Sequence, residues 1–205
     1  MSLKIWLPLN GSIINQGLSQ THTITNNSTT LNANGGKVTA NCATFSSGNY
    51  ITISDANTII PINNKQISIA FWMKSTNTDN QCLFCNRTQT GYGISIFKLN
   101  KTQFRFDTGN GGMTTFSGLQ ETYPNWTHFC FTWDGKIKRL YVNGINISSL
   151  TCESNIDNYG NKIYLGISCS NTDTGASLGN KFIGSLNDYR IYDHCLSPRE
   201  VKLLA

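Results

Sequence analysis

The side chains that could perform acid–base catalysis are few in this sequence and lie far apart along it. The only glutamates are Glu121, Glu153 and Glu200. Glycoside hydrolysis needs two carboxylates held roughly 5 to 9.5 Å apart on either side of the scissile bond. No two of these glutamates share one strand-length segment, and Glu200 has a simpler explanation as a helix cap. A glycan-active enzyme is therefore the least favoured of the functions considered below.

The histidines give no better candidate for nucleophilic catalysis. His194 and Cys195 are adjacent, but neighbouring side chains of an extended strand point to opposite faces, so adjacency does not make a nucleophile–base pair. No Gly-x-Ser-x-Gly elbow is present. The sequence predicts no catalytic residue and no enzyme.

Seven cysteines occur, and two of them, Cys82 and Cys85, have the spacing of a redox or zinc motif. An odd number of cysteines without an export signal argues against a disulfide framework. No second cysteine pair or histidine cluster stands nearby to complete a zinc site. We therefore expect reduced thiols that pack as small apolar groups.

Charge and hydropathy exclude two further classes of partner. The net charge is +5, but the sixteen basic residues are scattered, whereas nucleic-acid binding favours a clustered stripe. Lys4 and Pro8 interrupt the apolar start, no cleavage site follows, and no run approaches the ~18 apolar residues of a membrane span. We expect a protein made in the cytoplasm without a signal peptide, with no nucleic-acid partner and no membrane insertion.

The clearest structural signal lies between Trp126 and Ile147. Two strand-like runs there end in Asp134-Gly135 and Asn143-Gly144. These dipeptides favour type I′ hairpin turns, which need positive φ at both central positions. A three-stranded antiparallel meander is predicted. Further strands are predicted at residues 66–74, 93–97, 103–106, 162–167 and 181–192, and Cys82–Cys85 also lies in a strand-like segment.

One short helix is predicted at the C-terminal end. Ser197, Pro198 and Glu200 form a capping box with proline at the first helical position. Elsewhere, short strands alternate with turns rich in asparagine and glycine, and no linker or repeat interrupts residues 1–205. This pattern predicts one all-β domain, either a two-sheet sandwich or a barrel, with a short C-terminal helical turn. Trp72, Trp126 and Trp133 are assigned to its core.

Five ordered segments of this sequence resemble the laminin G-like domains of the concanavalin A-like superfamily. The resemblance implies a two-sheet antiparallel jelly-roll sandwich with its chain ends close together on one edge. Members of the superfamily bind glycans, proteins or lipids. The glucanases of the superfamily carry paired glutamates on one strand, and this sequence has no such pair. The segments are Ile69–Lys74 with its Phe-Trp pair, Trp126–Gly135, the Leu-Tyr-Val-Asn-Gly hairpin at 140–144, Ile163–Gly166, and the closing motif Phe182–Glu200.

Many members of this family carry calcium. At the position of the family's paired aspartates this chain has Asn187-Asp188, one charged oxygen ligand fewer. The resemblance implies a calcium site in which Asp188 supplies the side-chain ligand. Backbone carbonyls near the Asn10-Gly11 turn would complete the coordination sphere. The alternative is that Asp188 caps backbone amides at a sheet edge.

Sugar binding would use exposed aromatic rings that stack on pyranose faces, beside polar amides. The candidates are loop tyrosines, for which packing in the core is the alternative. The predicted ligand-binding residues are Tyr50, Tyr92, Tyr123, Tyr159 and Asn158.

The opening residues Met1–Gly11 resemble proteins encoded by bacteriophages and prophages of gut bacteria. That resemblance implies a domain on the virion surface, on a tail, fibre or capsid. The first hypothesis is a non-catalytic module that recognises a glycan or cell-surface receptor. The second is a structural or decoration domain that binds other virion proteins or forms a homo-oligomer.

Overall fold

Two antiparallel β-sheets pack face to face in the computed structural model. The structure describes residues 2–18, 21–46, 48–60, 65–87, 93–99, 102–109, 111–156, 160–171, 174–175 and 177–205. In these residues the elements are β1 (Leu3–Leu7), β2 (Ile24–Asn27), β3 (Thr30–Asn34), β4 (Asn41–Phe45), β5 (Tyr50–Ile53), α1 (Ala56–Ile59), β6 (Ile67–Ser75), β7 (Gln81–Arg87), β8 (Gly93–Leu99), β9 (Gln103–Thr108), β10 (Met113–Phe116), β11 (Tyr123–Trp133), β12 (Ile137–Val142), β13 (Ile145–Thr151), β14 (Ile163–Leu165), β15 (Gly184–Tyr192) and α2 (Pro198–Leu204).

The eight-stranded sheet, here called the front sheet, has the order β13-β12-β11-β6-β15-β4-β3, and β1 also pairs with β15. Strand β4 pairs with Gly184–Leu186, and β1 pairs with Tyr189–Tyr192 farther along the same strand. The seven-stranded back sheet has the order β10-β9-β8-β7-β14-β5-β2. This arrangement confirms the predicted all-β, two-sheet antiparallel sandwich.

Aromatic rings from both sheets fill the space between them. Phe71 on β6 stacks on Tyr189 with ring centroids 5.1 Å apart, and Phe129 on β11 lies 5.0 Å from Phe104 on β9 of the back sheet. Such pairs add about 0.5–1.5 kcal/mol each beyond the burial of their area. Trp133 is completely buried in this cluster, as predicted. The inner face of the front sheet is therefore packed tightly against the back sheet.

The predicted meander β11-β12-β13 is confirmed, but its two turns differ. Asn143 and Gly144 have φ values of 49° and 77°, as a type I′ turn requires. At the other turn only Gly135 has positive φ, so the type I′ prediction there is wrong. The Asp134 carboxylate accepts a hydrogen bond from the Ile137 amide at 2.7 Å and organises a longer turn instead.

The predicted capping box is confirmed at the start of α2. Ser197 accepts a hydrogen bond from the Glu200 amide, and the Glu200 carboxylate accepts one from the Ser197 amide. The predicted hairpin between β8 and β9 is confirmed by the pairing of Leu99 with Gln103, while residues 100 and 101 of its turn lie outside the described residues. Helix α1 is a single turn that the sequence did not predict.

Residues near the two chain ends are joined beside β15, but α2 packs across the outer face of the front sheet and not at the one edge that the resemblance implied. The Ser2 amide donates to the Asp193 carboxylate at 2.8 Å. Leu3 of β1 and Leu204 of α2 pack against the same small apolar cluster around Tyr192. Strand β1 and helix α2 are thus fixed beside each other.

Asn187 joins the segments that meet at the middle of the front sheet. It is fully buried on β15, between the stretch that pairs with β4 and the stretch that pairs with β1. Its Oδ1 accepts from the amides of Lys37 and Val38, at 3.1 and 2.8 Å. Its Nδ2 donates to the carbonyls of Pro8 and Asn41, at 2.8 and 3.1 Å. One amide therefore ties β1, β4 and the β3–β4 connection to β15.

We expect Asn187→Asp to lower the free energy of unfolding by about 3 kcal/mol, since a buried carboxylate would face two carbonyl oxygens in place of a donor. Urea denaturation measures the loss. The deficit should shrink at acidic pH, where a protonated carboxyl can donate again. Asn34→Asp, the same change at an exposed position of β3, is the control. Equal losses in the two variants would contradict the role given to Asn187.

Candidate binding face on the front sheet

Three tryptophans lie on the outer face of the front sheet, away from the core. Trp72 follows Phe71 on β6, and since Phe71 points into the core, Trp72 points outward. Trp72 is 6% exposed, but it is not part of the core cluster between the sheets. Trp126 is half-buried on this outer face, so its assignment to the core is wrong. Trp6 on β1 is also half-buried.

The ring of Trp126 is fixed by a hydrogen bond to the β3–β4 connection. Its Nε1 donates to the Gly35 carbonyl at 2.7 Å. The ammonium of Lys74, on the neighbouring strand β6, lies 5.3 Å from the ring centroid. This distance allows a cation–π attraction, worth about 0.5–1 kcal/mol at an exposed site. The indole is thus presented in one orientation.

Trp6 is held in a similar way by charged groups of β15. Its Nε1 donates to Asp188 Oδ1 at 2.7 Å, and the Arg190 guanidinium lies 4.9 Å from its ring centroid. Arg190 also forms an ion pair with Asp188 at 3.0 Å. Because a positive φ of 53° at Asp188 bulges β15, Asn187 and Arg190 both lie on the outer face although they are three positions apart.

Trp72 and His128 are paired between these two indoles. Their ring centroids are 5.3 Å apart, and the Lys37 ammonium lies 4.8 Å from the Trp72 centroid. Burial, aided by the positive charge of Arg190, lowers the pKa of His128 to about 4. His128 is therefore neutral at pH 7. Trp72 Nε1 and His128 Nδ1 are both buried without a hydrogen-bond partner in the described part of the protein.

Asp188 was the predicted side-chain ligand of a calcium ion. Its Oδ1 instead accepts from Trp6 and carries the ion pair with Arg190, and the Pro8 carbonyl nearby accepts from Asn187. The residues that the structure describes contain no group of three or more metal-ligating side chains. Because Asp188 Oδ1 already faces the Trp6 N–H and the Arg190 guanidinium, its surroundings do not fit a calcium ion on this oxygen. Calcium binding stays a prediction.

The predicted sugar-binding tyrosines do not gather into one site in the described residues. Tyr50 is half-buried on β5, where its ring stacks on Tyr164 of β14 with centroids 5.5 Å apart. Tyr123 was expected in a loop, but it begins β11 and is 3% exposed, so that placement is wrong. Tyr92, Tyr159 and Asn158 lie outside the described residues.

Tyr123 is buried because β11 begins earlier than the sequence indicates. Pro124-Asn125 has the composition of a turn, yet a register shift between Tyr123 and Thr127 lets the strand continue through it. The Tyr123 ring packs edge-to-face on Phe129, 4.9 Å between centroids, and burial raises its pKa to about 12. A ring enclosed in this way has no free face on which a sugar can stack.

Three of the side chains considered for catalysis have other partners in the structure. Glu200 caps α2, and Glu153 forms a distant ion pair with Lys136 at 3.9 Å. His194 Nδ1 lies 3.3 Å from an oxygen of Asp193. None of the seven cysteines forms a disulfide in the described residues, and five of them are buried, including Cys82 and Cys85. Neither helix in the described residues is long and apolar enough to cross a membrane.

The fold is a two-sheet antiparallel β-sandwich of the jelly-roll type. A family model described as the concanavalin A-like lectin/glucanases superfamily matches residues 45–202. The chain belongs to this superfamily, as the sequence resemblance predicted. This match says nothing about the predicted phage origin, which stays a prediction.

Curated relatives and solved structures agree with this assignment. The Mus musculus and Rattus norvegicus forms of sushi, von Willebrand factor type A, EGF and pentraxin domain-containing protein 1 are each 28% identical over 151 residues. That match spans 68% of this chain but only 4% of each relative's length. The chain is thus similar to a small part of these proteins.

Among solved structures, the fold is similar to receptor-binding domains of botulinum neurotoxins. A structure of type C, described in connection with cell entry through two ganglioside molecules, has a TM-score of 0.75 at 15% identity and covers 99% of this chain. The serotype DC binding domain in complex with rat synaptotagmin II has a TM-score of 0.69 at 14% identity. The chain spans half the length of each toxin chain, and at this identity the likeness shows the fold.

We expect His128 to make the protein sensitive to acid. Its pKa of about 4 lies below the value of 6.5 in an unfolded chain, so the unfolded state binds the proton first as the pH falls. The stabilisation is complete above pH 6.5 and is lost towards pH 4, by about 3 kcal/mol in all.

Urea unfolding of the wild type and of His128→Gln at a series of pH values measures this effect. The difference in pH dependence between the two proteins isolates His128 from the other titrating groups. The NMR signals of the His128 ring should stay constant from about pH 8 to pH 5 in the folded protein. Identical slopes for the two proteins, or a ring that titrates near 6.5, would contradict the prediction.

Proposed function

We propose that this protein is a non-catalytic binding domain that recognises a saccharide on the outer face of the front sheet. The observation that carries the proposal is the pair of half-buried indoles, Trp6 and Trp126, each fixed by its own N–H hydrogen bond. Indole rings are the groups that stack on the apolar faces of sugars. Rings that are already ordered lose little conformational entropy when a ligand binds.

The neighbourhood of these rings suits a polar ligand. The β3–β4 connection beside Trp126 presents exposed backbone at Gly35 and an exposed lysine, Lys37. Sugars need such donors and acceptors around a stacking platform to fix their orientation. The sheet beneath supplies the rigidity, since sites built on strands hold their geometry better than sites on loops.

The structural relatives support a recognition role. For one of them cell entry depends on interaction with two ganglioside molecules, and another is in complex with rat synaptotagmin II. A glycan or a glycan-bearing receptor is therefore the partner we propose here. The finer setting, host recognition on the tail, fibre or capsid surface of a phage particle, is proposed from the N-terminal residues alone, and binding to intact bacterial cells would test it.

We expect a fluorescently labelled protein to bind members of a glycan array, and Trp126→Ala to weaken the best of them about tenfold, or 1.4 kcal/mol, through loss of the stacking surface. Isothermal titration calorimetry of the isolated glycan measures the affinity. Trp126→Phe should retain part of the affinity, because the ring remains while the hydrogen bond to Gly35 is lost.

Tyr50→Ala is the matched control, since Tyr50 is a half-buried aromatic residue on the back sheet. It should bind as the wild type does. If Tyr50→Ala weakens binding and Trp126→Ala leaves it unchanged, the ligand lies on the back sheet and the proposed face is wrong. Binding to no glycan would overturn the function itself.

A second candidate function, assembly with further copies or with other virion proteins, is favoured by the edge strand β13. Its outer edge pairs with no strand of the described chain, and its sequence has no charged residue. Ile145, Ile147 and Leu150 are 68%, 46% and 38% exposed. Strand edges that lack charges or proline are open to pairing with another chain.

If β13 pairs between copies, wild-type protein should form dimers that Ile147→Lys abolishes, because a charge would be buried in the new contact. Size-exclusion chromatography with light scattering measures the mass. Met113→Lys, a change at a 68% exposed residue of the back sheet, is the control. A monomeric wild type at high concentration would remove this candidate.

A further inference from the structure

Two lysines on the binding face have aromatic rings rather than carboxylates as their neighbours. Lys37 Nζ lies over Trp72, and Lys74 Nζ lies over Trp126, at 4.8 and 5.3 Å from the ring centroids. We call these four residues the indole–lysine cluster. In the described part of the chain, the ion pairs formed by aspartates and glutamates use other cations. The two positive charges of the cluster are thus not neutralised.

The cluster is drawn together by the contacts that order the β3–β4 connection. Trp126 Nε1 binds Gly35, two residues before Lys37, and Asn187 Oδ1 accepts from the Lys37 amide. Trp72 and Lys74 are two residues apart on β6 and therefore share its outer face. The two ammonium groups consequently belong to one continuous surface.

The neighbouring strand β15 brings no unpaired carboxylate to the cluster. Asn187, directly opposite Trp72 in the register, is neutral, and the carboxylate of Asp188 is paired with Arg190. At this position an aspartate would have placed a carboxylate beside Lys37. Because residue 187 is asparagine and not aspartate, the cluster keeps its positive charge.

Trp72 and its neighbour His128 each have one buried polar atom with no hydrogen-bond partner in the described residues. Trp72 Nε1 and His128 Nδ1 are buried, and the two side chains are 6% and 1% exposed. An indole N–H can only donate, whereas a neutral imidazole nitrogen can accept. Because both atoms are enclosed, the contacts offered at the surface of the cluster are those of the two ammonium groups and the Trp126 ring.

We propose that the indole–lysine cluster binds an anionic sugar: a pyranose that carries a carboxylate or a sulfate group. The charged group is bound by Lys37 and Lys74, the ring lies against Trp126, and hydroxyls hydrogen-bond to nearby polar groups. This inference rests on the proposed saccharide-binding function and adds the charge of the ligand to it. Charge-assisted hydrogen bonds to two ammonium groups are stronger than those from neutral donors, which gives preference over neutral sugars.

The test uses three hexasaccharides with the full chain in calorimetric titrations. Hyaluronan presents carboxylates, heparin presents sulfates as well, and the chitin oligomer of N-acetylglucosamine is neutral. We expect at least one anionic oligomer to bind about tenfold more tightly than the neutral one. Tighter binding of hyaluronan assigns the site to carboxylates, and binding of heparin alone assigns it to sulfates.

The double variant Lys37→Ala/Lys74→Ala should remove this preference, so that the anionic oligomers bind no more tightly than the neutral one. Lys162→Ala/Lys202→Ala removes the same charge from two exposed lysines elsewhere and should keep the preference. Equal losses in both double variants would mean general electrostatic attraction and would overturn the inference. Equal binding of neutral and anionic oligomers would overturn it and leave the proposed function standing, whereas no binding to any oligosaccharide would remove both.

Discussion

The buried amide of Asn187 is the interaction on which the rest of the front sheet depends. Strand β15 is long enough to serve two partners in succession, β4 and then β1, and a gap in pairing falls between them. An amide can fill such a gap because it donates and accepts at once. A carboxylate could satisfy the backbone amides of Lys37 and Val38 but not the carbonyls of Pro8 and Asn41. Asparagine at this position is thus a requirement of the local hydrogen-bond geometry.

The same junction shapes the surface above it. By holding the β3–β4 connection down on the sheet, Asn187 brings Gly35 to the Trp126 indole and Lys37 to the Trp72 ring. His128 lies beside the Trp72 ring and is neutral at physiological pH, because burial lowers its pKa to about 4. One structural contact therefore determines which polar atoms, charges and rings a ligand would meet.

Much of the fold could be predicted from local chemistry. The Asn143-Gly144 turn and the Ser197 cap need few contacts beyond their own residues, and both are confirmed. The ordered motifs identified the family. The turn at Asp134 shows the limit of local rules, because the carboxylate can bond to backbone amides two and three residues ahead and displace the turn type that the dipeptide favours.

The candidate binding face could not be predicted in the same way. Strand β6 is buried on nearly every residue, so alternation does not reveal whether Trp72 faces the core. Trp126 is drawn outward by a partner 91 residues away in sequence, and the register shift that buries Tyr123 leaves no mark in composition. The positions of these two side chains depend on contacts between distant segments. No short sequence pattern encodes such contacts.

The neighbouring chain ends carry a mechanical consequence. A pull on both ends would load the pairing of β1 with β15 and the packing of α2 on the outer face of the front sheet, because these elements lie nearest the ends. The first strand to leave would take the Pro8 carbonyl away from Asn187. Tension transmitted through the polypeptide would therefore loosen the indole face before it disturbed the aromatic core, and ligand affinity would fall under force while most of the sandwich stayed folded.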